Sequence, residues 1–375
     1  MKCIKCGTDN NLQDRVANQG RCKNCHHRFA FEPMTMSAKT RFTDQFFAKL
    51  LNDLSANNTL YFTQKQLFYL LEKRLAKKER KTDAVGIIGC GLILVVIGFF
   101  AIVTAIGWPF IVIGLLVVFF GWLKSQSQPK YPRTLVINQS MTEAWLERWD
   151  QANHTPEKFL QQPRQQSIPV NIEPDIATYS FDRLVVCDRA EIAQMLIANN
   201  FHFDNNCAVL SITGYPQSIF EPTMQMLRNN PNLQVYGLHD CSPDGMKLLH
   251  QLQTDTNWFA QSNVVIADVG LLPRQFMASK RNMPIQVTET SAAAAKALPT
   301  EIRQNLLPQE LAWLESGNFV ELESFTPLRL MQSLNSSIAK SNRNIIESSD
   351  QALGGMDLTV ENDNDNYFYV IDSFG

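Results

Sequence analysis

The segment from Leu238 to Leu249, "LHDCSPDGMKLL", decides how the carboxyl-terminal half of the chain is interpreted. It begins at the end of an apolar run, and its Ser-Pro and Asp-Gly pairs are typical of a turn that opens a helix. Such turns are common places for a metal or a phosphate, and free N–H groups at the helix start suit a phosphate. Asp240, Ser242 and Gly245 are therefore candidate ligand-binding residues.

Strand and helix signals alternate on both sides of this segment. Four apolar strands with amphipathic helices between them are predicted at 183–187, 207–214, 233–240 and 263–270. The alternation predicts an α/β domain over residues 176–345, with a parallel sheet covered on both faces. Ligands collect at the carboxyl ends of such strands. Asp188 and Gly214 are expected there, beside Asp240.

Five segments of this domain carry a family resemblance. In chain order they are "VVCDRAEIAQML", "AVLSITGYP", "VYGLHDCSPDG", "VGLLPRQ" and "VELESFTPLRL". The same order occurs in the Toprim domain of the type IIB topoisomerase A subunit and its meiotic double-strand-break relatives, which the chain resembles over about residues 180–340. In that family a glutamate ends the first strand and a D-x-D-P-x-G turn follows the third. The resemblance implies carboxylates that hold magnesium for DNA cleavage.

The chain departs from the family at these carboxylates. The glutamate position is Cys187, followed by Asp188, and the second aspartate of the turn is Ser242. Magnesium prefers hard anionic oxygens, and a cysteine is a poor replacement. The resemblance therefore implies a degenerate site that has lost its metal chemistry. His239, next to Asp240, is interpreted as a structural residue.

The family's nucleophile is a tyrosine in a winged-helix domain ahead of the Toprim domain. The segment "TQKQLFYLLEKRL" (63–75) resembles that helix and would place Tyr69 at the nucleophile position. The family's arginine falls on Lys65, which lacks the bidentate fork. The alternative is an amphipathic helix with Tyr69 near its buried side. Residues 40–82 are accordingly predicted to be a basic helical or winged-helix unit.

Four cysteines near the amino terminus have the spacing of a metal site. Cys3, Cys6, Cys22 and Cys25 form C-x2-C-x15-C-x2-C. This spacing predicts a zinc ribbon over residues 1–35, with four protein ligands and a structural zinc. Two disulfides in a secreted domain are the alternative, which the scattered remaining cysteines disfavour.

Residues 84–123 contain no charged side chain. A single membrane span needs about 20 residues, so this run predicts a transmembrane helical hairpin that turns at Gly107–Pro109. Basic residues flank it on both sides, which predicts a multi-pass protein with both soluble parts facing the cytoplasm and membrane lipid as a partner. A hairpin buried in a soluble protein is the alternative.

The remaining segments are a linker with a helix at 124–175 and an acidic tail at 346–375. Charge is unevenly distributed: residues 1–82 carry 16 Lys and Arg against 7 Asp and Glu, whereas the rest carries 18 against 29. The acidic remainder argues against a nucleic-acid surface along the whole chain. The oligomeric state is not readable from the sequence.

Two functions are consistent with these patterns. The first is a membrane-anchored, non-catalytic binding or regulatory protein whose degenerate Toprim-like domain recognises a nucleic acid, a nucleotide or a protein. The alternative is a divergent magnesium-dependent nuclease or topoisomerase-like enzyme at the membrane, with Tyr69, Asp188 and Asp240 as catalytic residues. The missing carboxylates favour the first.

Overall fold

The computed structural model describes residues 1–100, 107–126, 135–163, 181–228, 230, 232–260, 262–278 and 285–351. The chain divides into two compact units: unit 1 is Met1–Ala48 with Leu70–His154, and unit 2 is Lys49–Tyr69 with Thr155–Gly375. Residues 352–375 of the predicted acidic tail, and 127–134 and 164–180 of the predicted linker, lie outside the described residues.

Helices account for much of the described chain. In chain order they are α1 (Leu12–Ala17), α2 (Asp44–Leu54), α3 (Gln64–Phe100), α4 (Gly107–Gln126), α5 (Gln139–Asn153), α6 (Ala190–Ala198), α7 (Phe201–Asp204), α8 (Gln217–Arg228), α9 (Leu248–Thr254), α10 (Pro273–Ala278), α11 (Glu289–Lys296), α12 (Thr300–Gln304), α13 (Pro308–Glu315) and α14 (Pro327–Gln351). Short 3-10 turns occupy Gly245–Lys247 and Leu322–Ser324.

Unit 2 contains the parallel sheet that the sequence predicted. Its strands are β1 (Arg183–Cys187), β2 (Cys207–Ser211), β3 (Gln234–Leu238) and β4 (Val265–Asp268). They form a four-stranded sheet in the order β2-β1-β3-β4, and each neighbouring pair is parallel. A second, antiparallel pair, β5 (Gln286–Val287) and β6 (Asn318–Phe319), lies downstream and was not predicted.

Successive residues of β1 point to opposite faces of the sheet, because side chains alternate along a strand. Val185 and Cys187 pack in one apolar cluster, and Leu184 and Val186 in another. The first cluster includes Ile192, Leu196, Leu330 and Leu334 of α6 and α14, and the second includes Met224, Leu248 and Leu252 of α8 and α9. Both faces of the sheet are therefore covered, as expected of a parallel sheet.

The strand order places a topological switch point between β1 and β3. Strand β2 follows β1 on one side, and the chain then crosses to the other side to form β3. Cys187 pairs with Leu238, so the segments after these strands leave the sheet next to one another. A crevice forms at such a point outside the carboxyl ends of the strands. This position locates the candidate site.

Helix α3 begins at a capping box. The Thr63 hydroxyl accepts a hydrogen bond from the Gln66 backbone N–H at 3.3 Å, and the Gln66 side chain accepts from the Thr63 N–H at 2.9 Å. From there the helix continues to Phe100, so it includes residues of both the 40–82 and the 84–123 segments. Residues 40–82 contain α2 and the first part of α3, and no β-hairpin wing is present in this fully traced stretch.

An aromatic cluster forms a core of unit 1. The Phe42 ring lies 4.7 Å from Phe31 and 5.0 Å from Trp145, and Phe47 lies 5.1 Å from Trp149, measured between ring centroids. The cluster joins the segment after the cysteines to α2 and α5.

Helices α3 and α4 are in direct backbone contact. A Cβ added to Gly91 would lie 2.9 Å from the carbonyl oxygen of Gly114, and one added to Gly114 would lie 2.8 Å from that of Gly91. The two glycines therefore allow an approach that a larger residue would block. The large apolar side chains on the outer faces of these helices, such as Ile93, Phe100, Leu116 and Phe120, are exposed.

Within the part of the chain that the structure describes, no helix combines the length and the apolar character needed to cross a membrane. The first half of α3 is rich in charged residues, and its apolar part within the described residues, 84–100, is shorter than the about 20 residues of a span. Helix α4 begins with Gly-Trp-Pro and ends with Lys-Ser-Gln, so its continuous apolar part is shorter than the helix itself. The predicted transmembrane hairpin and the multi-pass localisation with cytoplasmic soluble parts are contradicted by this finding.

We expect Gly114→Val to destabilise the contact between α3 and α4 by about 1–3 kcal/mol, because the new side chain would overlap the α3 backbone. Gly86→Val is the matched control, since a Cβ there meets no atom within 4 Å. Thermal unfolding and amide hydrogen exchange across α4 measure the difference. Equal exchange rates in the two variants would contradict the close approach.

Candidate functional site

Asp188 and Asp240 follow β1 and β3 and are bonded to each other. The backbone N–H of Asp240 donates to Asp188 Oδ2 at 2.8 Å. Asp240 Oδ1 accepts from the backbone N–H of Leu322 at 2.6 Å. Cys241 and Val320 exchange two backbone hydrogen bonds of 2.9 Å, so the segment after β6 runs beside the turn after β3. These bonds bring two further acidic residues, Glu321 and Glu323, to the same place.

The guanidinium group of Arg189 lies among these carboxylates. Its Nη2 is 2.7 Å from Asp240 Oδ2 and 3.0 Å from Glu323 Oε2. Its Nη1 is 3.1 Å from Glu321 Oε1. One cation therefore bridges three carboxylates that come from two distant parts of the chain. The contact of Nη1 with Glu321 is a charge-assisted hydrogen bond, and the two contacts of Nη2 are ion pairs.

The first turns of α3 complete the cluster within unit 2. Lys65 Nζ lies 2.7 Å from Glu321 Oε1. The Thr63 hydroxyl donates to Glu323 Oε1 at 2.7 Å. Tyr69 Oη donates to Glu321 Oε2 at 2.5 Å and accepts from the Gln286 side-chain amide. Tyr69 thus shares a unit, and a hydrogen bond, with the carboxylates that follow the sheet.

Burial shifts the acidity of the carboxylates. The pKa of Asp240 is raised well above its usual value by burial and then by the charge of Asp188. Burial also raises the pKa of Asp188 and of Glu323. These directions follow because a low-dielectric surrounding disfavours the charged form. Burial therefore makes Asp188, Asp240 and Glu323 weaker acids than carboxyl groups in water.

Glu321 and Tyr69 respond differently to the same surroundings. Burial would raise the pKa of Glu321, but Arg189 and Lys65 outweigh it and lower that pKa. Burial and the negative charge of Glu321 raise the pKa of Tyr69 well above its usual value. Tyr69 therefore remains a protonated hydrogen-bond donor, and only 3% of its surface is exposed.

The turn after β3 uses its own polar groups. The Gly245 N–H donates to Ser242 Oγ at 3.0 Å, and the Met246 N–H donates to the Ser242 carbonyl at 2.9 Å. A Cβ at Gly245 would lie 2.2 Å from the Asp240 carbonyl oxygen, so the turn requires glycine there. The N–H of Lys247 donates to Asp244. The free N–H groups expected for a phosphate are thus already bonded.

His239 has a structural role in this turn. Its Nε2 lies 3.1 Å from Asp268 Oδ1, and its Nδ1 lies 2.9 Å from the Asp240 carbonyl oxygen. The ring packs so tightly on Gly270 that a Cβ there would come within 2.5 Å of it. Burial opposes the charge of the imidazole, but Asp268 outweighs it and raises the pKa of His239 to about 9. The charged ring therefore ties β3 to the end of β4.

A cavity of about 530 Å³ opens over the carboxyl ends of β1 and β3. Its lining is formed by Asp188, Arg189, Ile212, Asp240, Ser242, Pro243, Asp244, Gly245, Lys247, Leu248, Gln251, Thr288, Thr290, Ser291, Ala294, Phe319 and Glu321. Four candidates from the sequence, Asp188, Asp240, Ser242 and Gly245, meet in this lining.

Two other candidates lie elsewhere. Gly214 is not part of the lining and instead occupies a left-handed turn after β2, with φ of +80°. Tyr69 contacts Glu321 but does not line the cavity. Sequence reasoning missed Arg189, Glu321 and Glu323. The alternation of Glu321 and Glu323 in "VELESF" was a weak signal that both point to one side.

The four amino-terminal cysteines converge as the spacing predicted. Their sulfur atoms all lie within 4.8 Å of one another, with 3.6 Å between Cys3 and Cys25 and between Cys6 and Cys22. The Asn10 side-chain amide donates to Cys22 Sγ at 3.5 Å. This cluster can bind a metal ion with four thiolate ligands. His26 and His27 are not members of the group.

We expect the contact between His239 and Asp268 to make the free energy of unfolding fall as the pH rises into the alkaline range. The folded-state pKa of about 9 exceeds the usual 6.5, so the stabilisation, on the order of 3 kcal/mol, is complete below pH 6.5 and is lost as the pH rises through about 9. Urea unfolding of Asp268→Asn and of the unchanged chain should differ most near pH 6 and converge near pH 10. Asp204→Asn, which removes an exposed acid, is the control. A difference that stays constant with pH would contradict the assignment.

A scan against models of known protein families and a search of curated proteins found no match to the chain. Its function is therefore to be inferred from the geometry of the two sites.

Proposed function

We propose that unit 2 is a non-catalytic binding module with a Toprim-like sheet, in which Arg189 takes the position of a catalytic metal ion. The supporting observation is the guanidinium group within 2.7–3.1 Å of Asp240, Glu321 and Glu323. A resident cation balances the charge of these carboxylates without any metal. The module then acts by recognising a ligand, and the crevice at the switch point is where that ligand binds.

The residues present do not fit magnesium. Magnesium requires near-octahedral oxygen ligands at about 2.0–2.1 Å. Both carboxylate oxygens of Asp240 already have partners, Leu322 for one and Arg189 for the other. Both oxygens of Glu321 also have partners, which are Lys65, Arg189 and Tyr69. Cys187, at the glutamate position of the resemblance, is fully buried, and burial raises the pKa of its thiol well above the usual value. Cleavage chemistry through a magnesium ion therefore has no support at this site.

The environment of Tyr69 also disfavours catalysis. A nucleophilic tyrosine has to lose its proton, but here the hydroxyl donates to a carboxylate and has a raised pKa. The second candidate function, a divergent nuclease or topoisomerase-like enzyme, is favoured by one observation only. Tyr69 and Asp240 both contact the Glu321–Leu322 segment and lie in one unit.

For the cysteine cluster we propose a structural zinc ion. Zinc–sulfur bonds of about 2.3 Å in a tetrahedron put the sulfur atoms about 3.8 Å apart. The 3.6 Å separations between Cys3 and Cys25 and between Cys6 and Cys22 suit that geometry. With four protein ligands no position is open for water, so the ion would support folding of the first 35 residues rather than catalysis.

We expect one equivalent of zinc per chain after purification under reducing conditions without chelator. Cys22→Ser should remove it and unfold the segment around α1, because Cys22 is fully buried. Elemental analysis and hydrogen exchange of residues 1–35 are the measurements. Cys90→Ser is the control, since Cys90 is exposed and outside the cluster. A metal-free chain with an ordered amino-terminal segment would contradict the proposal.

We expect Arg189→Ala to lower the free energy of unfolding by about 3 kcal/mol, because it leaves buried carboxylates without their cation. Mn²⁺ or Mg²⁺ should restore part of the loss in this variant and leave the unchanged chain unaffected. Urea unfolding with and without the ions tests this, with Arg183→Ala at the other end of β1 as control.

The same proteins should be tested for DNA cleavage and relaxation with Mg²⁺. The proposed binding function predicts no activity in the unchanged chain. Activity that Tyr69→Phe or Asp240→Ala abolishes would overturn it in favour of the enzyme.

A further inference from the structure

We propose that the cavity of unit 2 binds the charged end of an aliphatic amine or guanidine, as carried by a lysine or arginine side chain, and not a phosphate. The proposal rests on the binding function proposed above and adds the chemical class of the ligand. Four observations on the lining of the cavity carry it: its charge, an unpaired acceptor, its bonded N–H groups and its apolar walls.

The first observation is the charge of the lining. Four acidic residues, Asp188, Asp240, Asp244 and Glu321, face two basic ones. Both basic residues are already paired: Arg189 with Asp240 and Glu321, and Lys247 with Asp244 at 2.7 Å. No described lining residue therefore offers an unpaired positive charge to an anion. A cationic group is the complementary ligand.

The second observation is an unpaired acceptor. Asp188 Oδ2 accepts from the Asp240 N–H, but its Oδ1 is buried from solvent and has no hydrogen-bond partner. Ser291 Oγ, in α11 across the cavity, is also buried without a partner. A buried acceptor without a donor is unfavourable, and the native fold rarely leaves one. An ammonium or guanidinium group offers several donors for Asp188 and is neutralised there.

The third observation concerns the groups that would bind a phosphate. Backbone N–H groups at the start of a helix are the usual anion donors. Here the N–H groups of Gly245, Met246 and Lys247 already donate hydrogen bonds to Ser242 and Asp244. The Ser291 N–H at the start of α11 is spent on the Thr288 hydroxyl. These four backbone N–H groups are therefore not available to a phosphate.

The fourth observation is the apolar part of the walls. Ile212, Leu248, Phe319 and Ala294 line the cavity beside the acidic groups. Lysine and arginine carry a methylene stem that packs on apolar surface while the charged head reaches polar partners. A cavity of about 530 Å³ accepts such a side chain with part of its backbone. The apolar walls would contact the methylene stem of such a ligand, and the acidic groups would contact its charged head.

Isothermal titration of the full chain at low ionic strength tests the proposal. The probes are acetyl-Ala-Lys-Ala-amide, its arginine analogue, spermidine, inorganic phosphate and adenosine monophosphate. The expected result is one bound cationic probe per chain and no binding of the two anions. Tighter binding of the peptides than of spermidine would identify a protein side chain as the source of the group, and the reverse order would identify a free polyamine.

Two variants locate the binding. Asp188→Asn keeps the shape and the acceptor for the Asp240 N–H but removes the charge, so it should weaken the cationic probes about tenfold. Ala294→Trp should abolish binding, because the indole fills the cavity. Asp204→Asn removes an exposed acid outside the cavity and should change nothing. Circular dichroism confirms that each variant is folded.

Three outcomes would overturn the ligand class. The first is binding of phosphate or adenosine monophosphate that Ala294→Trp blocks, which would leave the binding function intact with a different ligand. The second is cationic binding that both Asp188→Asn and Ala294→Trp leave unchanged, which is attraction to the acidic surface. The third is no binding of any probe. Only Mg²⁺-dependent cleavage of DNA would overturn the binding function itself.

Discussion

The contact of Arg189 with Asp240, Glu321 and Glu323 is the interaction on which the rest of unit 2 depends. Buried carboxylates of the same sign cannot stay together without a compensating charge. The guanidinium group supplies it and reaches segments that are far apart in the chain: the end of β3 and the strand-like segment after β6. Lys65 and Thr63 bring the start of α3 to the same carboxylates. This polar cluster therefore holds these segments of unit 2 together, whereas apolar packing holds its other elements together.

This arrangement is consistent with the binding function proposed for unit 2. The carboxylates are directed inward and bonded, so they position one another rather than a metal. The crevice above them is lined by Asp188, whose buried Oδ1 has no hydrogen-bond partner, and by α11 on the facing wall. Binding at a switch point needs only the crevice, which the strand order produces regardless of the chemistry at its floor.

Much of this was readable from the sequence, and the limits have physical causes. The predicted strand 183–187 matches β1, because an apolar run bounded by polar residues is a strong local signal. The convergence of the four cysteines also followed from short spacing. Glu321 and Glu323 were missed because their place beside Asp240 depends on a pairing between residues about 80 positions apart, which no local pattern encodes. The membrane hairpin, predicted from an uncharged run and its basic flanks, was wrong, because within the described residues no helix is both long and apolar enough to span a membrane.

The burial of Cys187 has an evolutionary consequence. Its side chain lies in the apolar cluster with Ile192, Met195 and Leu238, and none of it is exposed. A glutamate introduced there would bring a charge into that core, next to carboxylates whose cation is already in place. Removing Arg189 first would instead leave those carboxylates uncompensated. Neither single substitution toward a metal site is neutral, so a change to metal binding here requires both substitutions together.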